Sequence, residues 1–134
     1  MLLRGVKHLL RQRQHRHFTT GTSKPRVVVV GTGWGGFEAA KTIDKDKYSV
    51  HVVSPSNHFL FTPLLPSTAV GTVEFRCIQE PVRTIPGLEE YHQAKVRDID
   101  FDTNTVVAED IFSKHRFNLA YDKLVLATGV KTNT

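Results

Sequence analysis

The densest chemistry in this chain sits in Gly31-Thr32-Gly33-Trp34-Gly35-Gly36, between the β-branched run Val27 to Val30 and a stretch beginning Phe37-Glu38-Ala39-Ala40. Each spaced glycine has a chemical reason. Gly31 permits a tight turn out of a strand. Gly33, lacking a Cβ, lets a pyrophosphate approach the backbone. Gly36 lets the following helix lie close to the sheet. Gly36, Ala39, Ala40 and Ile43 fall on one helical face of mostly small residues. The N-terminus of that helix turns unpaired N–H groups and the positive end of its dipole toward an anion. Flanked by a buried strand and a small-faced helix, the glycine pattern predicts a dinucleotide site. No Gly-Lys-Ser/Thr follows the turn, which excludes a nucleotide-triphosphate loop.

The elements around this turn must position it. Val27 to Val30 is apolar on both faces and too short for a helix, as in a central parallel strand. Tyr48 to Val53 reads as the second strand. An acid at its end, ~20 residues past the glycines, ordinarily holds the ribose hydroxyls. Here the strand ends Val53-Ser54-Pro55. Ser54 can hydrogen-bond but cannot grip two hydroxyls as a carboxylate does. His58 to Ser67 (HFLFTPLLPS) is apolar, aromatic and twice interrupted by proline. It is expected to be neither a regular helix nor a central strand, and to pack against something flat and apolar.

At 134 residues the chain makes one domain at most. Its net charge of +5 suggests nucleic acid, but residues 1–18 hold five basic residues and no acid, which accounts for the whole excess. Nucleic-acid binding is therefore not expected. Leu2, Val6 and Leu9 share one helical face, and Arg4, Lys7 and Arg11 another. A basic, acid-free, amphipathic start of this kind reads as a mitochondrial transit peptide over 1–18. Arg16-His17-Phe18 before Thr19 resembles a matrix-protease site, and residues 19–25 read as a linker. The single Cys77 forms no internal disulfide, and no Cys/His set has metal-ligand spacing. No nucleophile, general base or metal constellation marks a second centre.

The run S-P-x-N-H-F-L-F-T-P-L-L-P-S-x-x-V-G-T-V after strand-GxGWGG-helix closely resembles the type II NADH dehydrogenases. These are the alternative, non-proton-pumping NADH:ubiquinone oxidoreductases. The likeness covers about residues 26–134, and Gly31–Gly36, Phe59–Pro66 and Ala127-Thr128-Gly129 carry it most specifically. It implies an α/β, Rossmann-like FAD-binding fold, a parallel sheet with an antiparallel meander, with residues 26–134 as its N-terminal part. It implies FAD as cofactor and NADH as substrate, with hydride passing to the flavin and electrons to ubiquinone at the inner mitochondrial membrane surface. A homodimer is compatible with it.

By the same resemblance, Gly31, Gly33, Trp34 and Gly35 would lie along the FAD pyrophosphate, with Gly36 closing the helix onto the turn. Ser54 and Pro55 would sit near the adenosine ribose, and Val96 near the adenine. Thr62, Pro63 and Leu64 would lie beside the isoalloxazine, and Thr128 and Gly129 would let the chain pass close to the flavin. No catalytic side chain and no metal ligand is implied. His58 and Ser56 depart from the family's frequent Tyr and Arg. Only one GxGxxG is present, so the NADH fold, the last part of the FAD fold and any amphipathic membrane anchor are expected to lie outside these residues. The alternatives are a truncated, non-catalytic FAD-binding or interaction product, or a related quinone-reducing flavoprotein such as a sulfide:quinone reductase. The latter would need redox cysteines, which Cys77 alone does not supply.

Further along, Cys77 to Arg83 reads as a short helical stretch, and Tyr91 to Ile99 as one strand. Asp102-Thr103-Asn104 reads as a turn, Thr105 to Glu109 and His115 to Leu119 as the rest of a meander, and Lys123 to Leu126 as the last buried strand.

Overall fold

The computed structural model describes residues 23–130. The leader expected over 1–18 and most of the 19–25 linker lie outside the described residues. Four strands form a parallel sheet: β1 (Arg26–Val30), β2 (Ser49–Val53), β5 (Glu90–His92) and β9 (Lys123–Leu126), in the order β5-β2-β1-β9. The helix α1 (Trp34–Thr42) joins β1 to β2.

The valine run explains why β1 is central. Val27 and Val29 face Val50, Val52, Phe37, Ala40, Val82 and Ile85 in one core. Val28 and Val30 face Val53, Val106, Ala108, Leu119 and Tyr121 in a second core on the opposite side. A strand covered on both faces needs apolar residues at every position rather than at alternate ones. The helix buries Gly36, Phe37 and Ala40, so the small face read from the sequence is joined by one large aromatic.

The second core is capped by an antiparallel meander of β6 (Ala94–Asp100), β7 (Thr105–Asp110) and β8 (Arg116–Ala120). The last two strands lie within one residue of their expected bounds. The Tyr91–Ile99 expectation needs correction. The segment is two strands in two sheets, with β5 adding to the parallel edge and β6 opening the meander. The chain changes sheets at Gln93. There Ser54 N–H donates to the His92 carbonyl (3.1 Å) and Ala94 N–H to the Ser54 carbonyl (3.2 Å).

The apolar segment also folds more regularly than expected. β3 (His58–Leu60) pairs antiparallel with β4 (Gln79–Pro81), apart from the main sheet. A 3-10 turn over Thr62–Leu64 leads into the short helix α2 (Leu65–Ala69). Pro66 is tolerated there because it lies in the first turn, where its missing N–H would have no helical partner. The helical stretch expected over Cys77–Arg83 is instead two 3-10 turns, Phe75–Ile78 and Val82–Thr84, on either side of β4. Among the described residues, no helix is long and apolar enough to cross a membrane.

Val29 is fully buried between β2 and β9. Removing its two methyl groups in Val29→Ala should cost about 2 kcal/mol. Urea denaturation would register this as a lower midpoint with an unchanged slope.

Candidate functional site

At the C-terminal end of β1, the chain turns toward β2 on one side, while β9 flanks the other. Ligands of open α/β sheets bind at such a switch point, beyond the carboxyl ends of the strands. A cleft of about 580 Å³ opens there. Its wall runs from Val30 to Trp34, through Val53 to Ser56, His58 to Leu60 and Thr62, then Ala94 to Val96, and closes at Ala127 and Thr128. Lys95 is the one formally charged residue at neutral pH on this wall.

The three spaced glycines do different work. Gly31 has φ +101°, and a Cβ on it would lie 2.3 Å from the Ala127 carbonyl oxygen. Both its conformation and its neighbour exclude a side chain. Gly36 has an ordinary helical backbone, but a Cβ there would sit 2.1 Å from the Gly31 carbonyl oxygen and 3.2 Å from Ala127 Cβ. The helix therefore lies directly on the turn. Gly33 is the contrasting case. Its φ of −72° suits any residue, and nothing lies within 4 Å of where a Cβ would be. No contact among the described residues explains a glycine at that position. The space it leaves open belongs to the cleft.

Gly33 is also the N-cap of α1. No side chain caps that end, and no acid occupies the first turn. The first N–H groups of the helix have no intrahelical acceptor, and the uncapped end carries the positive pole of the dipole. Cleft, dipole and missing side chain coincide at one point.

The opposite wall is tied together by hydrogen bonds. Thr32 Oγ1 and Ser54 Oγ lie 2.8 Å apart and are buried. Thr32 Oγ1 donates to the Ser56 carbonyl (3.2 Å), and Ser56 N–H donates to Ser54 Oγ (3.2 Å). The only consistent proton order has the Ser54 hydroxyl donating to Thr32, which closes a ring of hydrogen bonds. Tyr91 O–H adds donation to the carbonyls of Ser54 (3.1 Å) and Ser56 (3.0 Å). Burial pushes the Tyr91 hydroxyl above its ordinary pKa, which keeps the donating form. Ser54 thus borders the cleft with its hydroxyl already engaged, and Pro55 and Ser56 form the rim.

The aromatic residues brace the helix entrance. Phe59 stacks on Phe37 at 4.7 Å and 11°. Trp34 meets Phe59 edge-on at 5.0 Å and Phe61 at 5.2 Å. Trp34 and Phe75 remain about half exposed.

Of the residues expected at the site, Gly31, Gly33, Trp34, Ser54, Pro55, Thr62, Val96 and Thr128 border the cleft. Gly36 supports it from behind. Gly35, Pro63, Leu64 and Gly129 do not line it, although Gly129 has the positive φ (+67°) of a chain reversal. Sequence reasoning missed the structural parts played by Thr32 and Tyr91. Nothing in their local patterns marks either as a partner of Ser54.

A strand-turn-helix with this cleft at the switch point defines a Rossmann-type dinucleotide fold. A family profile described as pyridine nucleotide-disulphide oxidoreductase matches residues 25–134, and the chain belongs to that family. It is 46% identical over 81% of its length to a probable NADH dehydrogenase of Dictyostelium discoideum, of which it covers 25%. It is 43% identical over 90% of its length to the mitochondrial external NADH-ubiquinone oxidoreductase 2 of Saccharomyces cerevisiae, covering 23%. NDH2 from Plasmodium falciparum, solved in complex with NADH, superimposes with a TM-score of 0.76 at 35% identity, over 84% of this chain and 24% of that one. The resemblance to type II NADH dehydrogenases read from the sequence therefore stands. The chain spans about a quarter of the length of the curated relatives it matches.

The two kinds of glycine separate experimentally. Gly36→Ala forces a Cβ onto the Gly31 carbonyl and should cost about 3 kcal/mol or more. Gly33→Ala should stay within about 1 kcal/mol of the parent. Parallel thermal and urea denaturation of the two variants would measure the difference.

Proposed function

We propose that residues 26–134 are the N-terminal part of the FAD-binding domain of a two-dinucleotide-fold NADH:ubiquinone oxidoreductase. The observation that carries this reading is Gly33, whose missing side chain leaves room at the uncapped α1 N-terminus inside the switch-point cleft. A diphosphate fits what the residues offer there: unpaired N–H donors, a dipole of the right sign and no steric barrier.

On this reading the backbone from Gly31 to Gly35, including Trp34, holds the pyrophosphate of FAD, and Gly36 keeps the helix close enough to do so. Ser54 and Pro55 stand at the adenosine ribose. Because the Ser54 hydroxyl is engaged by Thr32 and Ser56, its part is to shape the wall rather than to grip the sugar. Ala94 and Val96 flank the adenine. Thr62, Pro63, Leu64, Thr128 and Gly129 belong to the isoalloxazine side, where apolar surface excludes water. The bound flavin supplies hydride acceptance from NADH and electron delivery to quinone. No acid–base side chain of this chain is assigned to the chemistry.

The fungal relative's name places that protein in the mitochondrion. For this chain we place the site of action on the inner mitochondrial membrane as a peripheral protein, with residues 1–18 as transit peptide and 19–25 as linker. The acid-free amphipathic leader supports this.

Gly33→Val in the full-length protein should abolish FAD loading while leaving the chain folded. The visible flavin spectrum after gel filtration reads this directly, and a fully yellow variant would overturn the pyrophosphate assignment. Residues 1–25 fused to a fluorescent protein should deliver it to mitochondria, and a diffuse cytosolic signal would refute the leader.

A further inference from the structure

Beyond the cleft, the sheet register gathers a second group of chemically capable side chains. His51 on β2 is the register partner of Glu90 on β5. His92 follows two residues later, on the same face of that strand. His51 Nδ1 lies 3.8 Å from Glu90 Oε2, and His92 Nε2 lies 3.4 Å from the same oxygen. One ligand atom from each of the three residues falls within 4.8 Å of the others.

These approaches are not hydrogen bonds. His51 Nδ1 and His92 Nε2 are both buried and have no hydrogen-bond partner among the described residues. Orphaned buried nitrogens are costly, and each calls for an explanation. His51 is only 5% exposed. Its other nitrogen, Nε2, lies 3.1 Å from Ser49 Oγ. That contact allows Nε2–H to donate to the Ser49 hydroxyl, the tautomer that would leave the Nδ1 lone pair free for an ion. A second hydrogen bond that orients an imidazole in this way is the usual support of a metal ligand.

We propose that His51, Glu90 and His92 form a binding site for a divalent metal ion of the zinc class, at the β2–β5 edge of the parallel sheet. Two imidazoles and one carboxylate are a ligand set that zinc accepts with a fourth position open. Tetrahedral zinc bonds of about 2.0–2.2 Å set ligand atoms about 3.4 Å apart; Glu90 Oε2 stands 3.4 and 3.8 Å from the two nitrogens, and the two imidazoles, held within 4.8 Å, would draw together on the ion. Glu90 is half exposed, so the ion has a path in. Arg26 opposes a bound cation, while Glu89 and Glu90 attract one. The ion would pin β5 to β2 immediately before Gln93, where the chain crosses to the Ala94–Val96 wall of the cleft.

The test uses the untagged full chain, stripped with a chelator and titrated with zinc against a chromophoric competitor. One equivalent should bind tightly, at least tenfold weaker in Glu90→Gln and in His92→Gln. Glu90 is exposed enough that its substitution leaves the fold intact, which circular dichroism checks. Ser49→Ala should weaken binding about tenfold by freeing the His51 ring. Absence of the equivalent in the parent protein would overturn the site. So would an equivalent retained undiminished in Glu90→Gln and His92→Gln, which would place the ion elsewhere.

Discussion

The close approach of three backbone segments at the end of β1 governs the rest of the structure. The carbonyl of Gly31 touches the helix at Gly36, and the carbonyl of Ala127 touches the turn at Gly31. Neither contact leaves space for a single methyl group. Their joint effect is to draw the N-terminus of α1 and the end of β9 to opposite sides of one turn. The cleft exists because three elements converge where the parallel sheet changes direction. A strand buried on both faces is needed to hold β1 against that convergence, which is why four consecutive valines precede the turn.

That constraint also separates two reasons for a glycine which look identical in a sequence. Gly31 and Gly36 answer to the polypeptide, one by conformation and contact and the other by contact alone. Gly33 answers to nothing among the described residues. A residue whose smallness the fold does not use points to an external group of a size that the space admits. A phosphate accounts for Gly33 in a way it need not for Gly31 and Gly36, whose smallness the polypeptide itself requires.

The elements most legible in the sequence were those whose character is local. β1, the helix start and the last two meander strands follow from short apolar runs, turn residues and glycine spacing, and so does β9 as a strand, though not as the buried one expected, since Leu126 is 55% exposed. What escaped was set by pairing partners far along the chain. Tyr91 to Ile99 partly alternates throughout, so nothing local marks Gln93 as the residue where the chain leaves one sheet for another. The break follows from Ser54, which bonds on both sides of it. Pro66 read as a helix breaker because its position within a turn depends on where the preceding 3-10 segment ends. Ser54 was legible as a residue that ends β2 at the site, where it borders the cleft. Its hydroxyl's engagement was not, since Thr32 lies 22 residues away and Tyr91 lies 37 away.

The same distinction bears on the group at the sheet edge. Spacing rules for metal ligands work when the donors share a turn or a helix, where separation in sequence maps onto separation in space. His51 and Glu90 are joined instead by parallel register, across the intervening β3–β4 pair, a short helix and three 3-10 turns. Parallel neighbours are always remote in sequence, because a crossover must return the chain to the same end of the sheet. Polar residues that pair across such strands are invisible to any local pattern. On a sheet otherwise covered by valine, the cost of burying two imidazole nitrogens without partners is the signal that remains, and only the folded register reveals it.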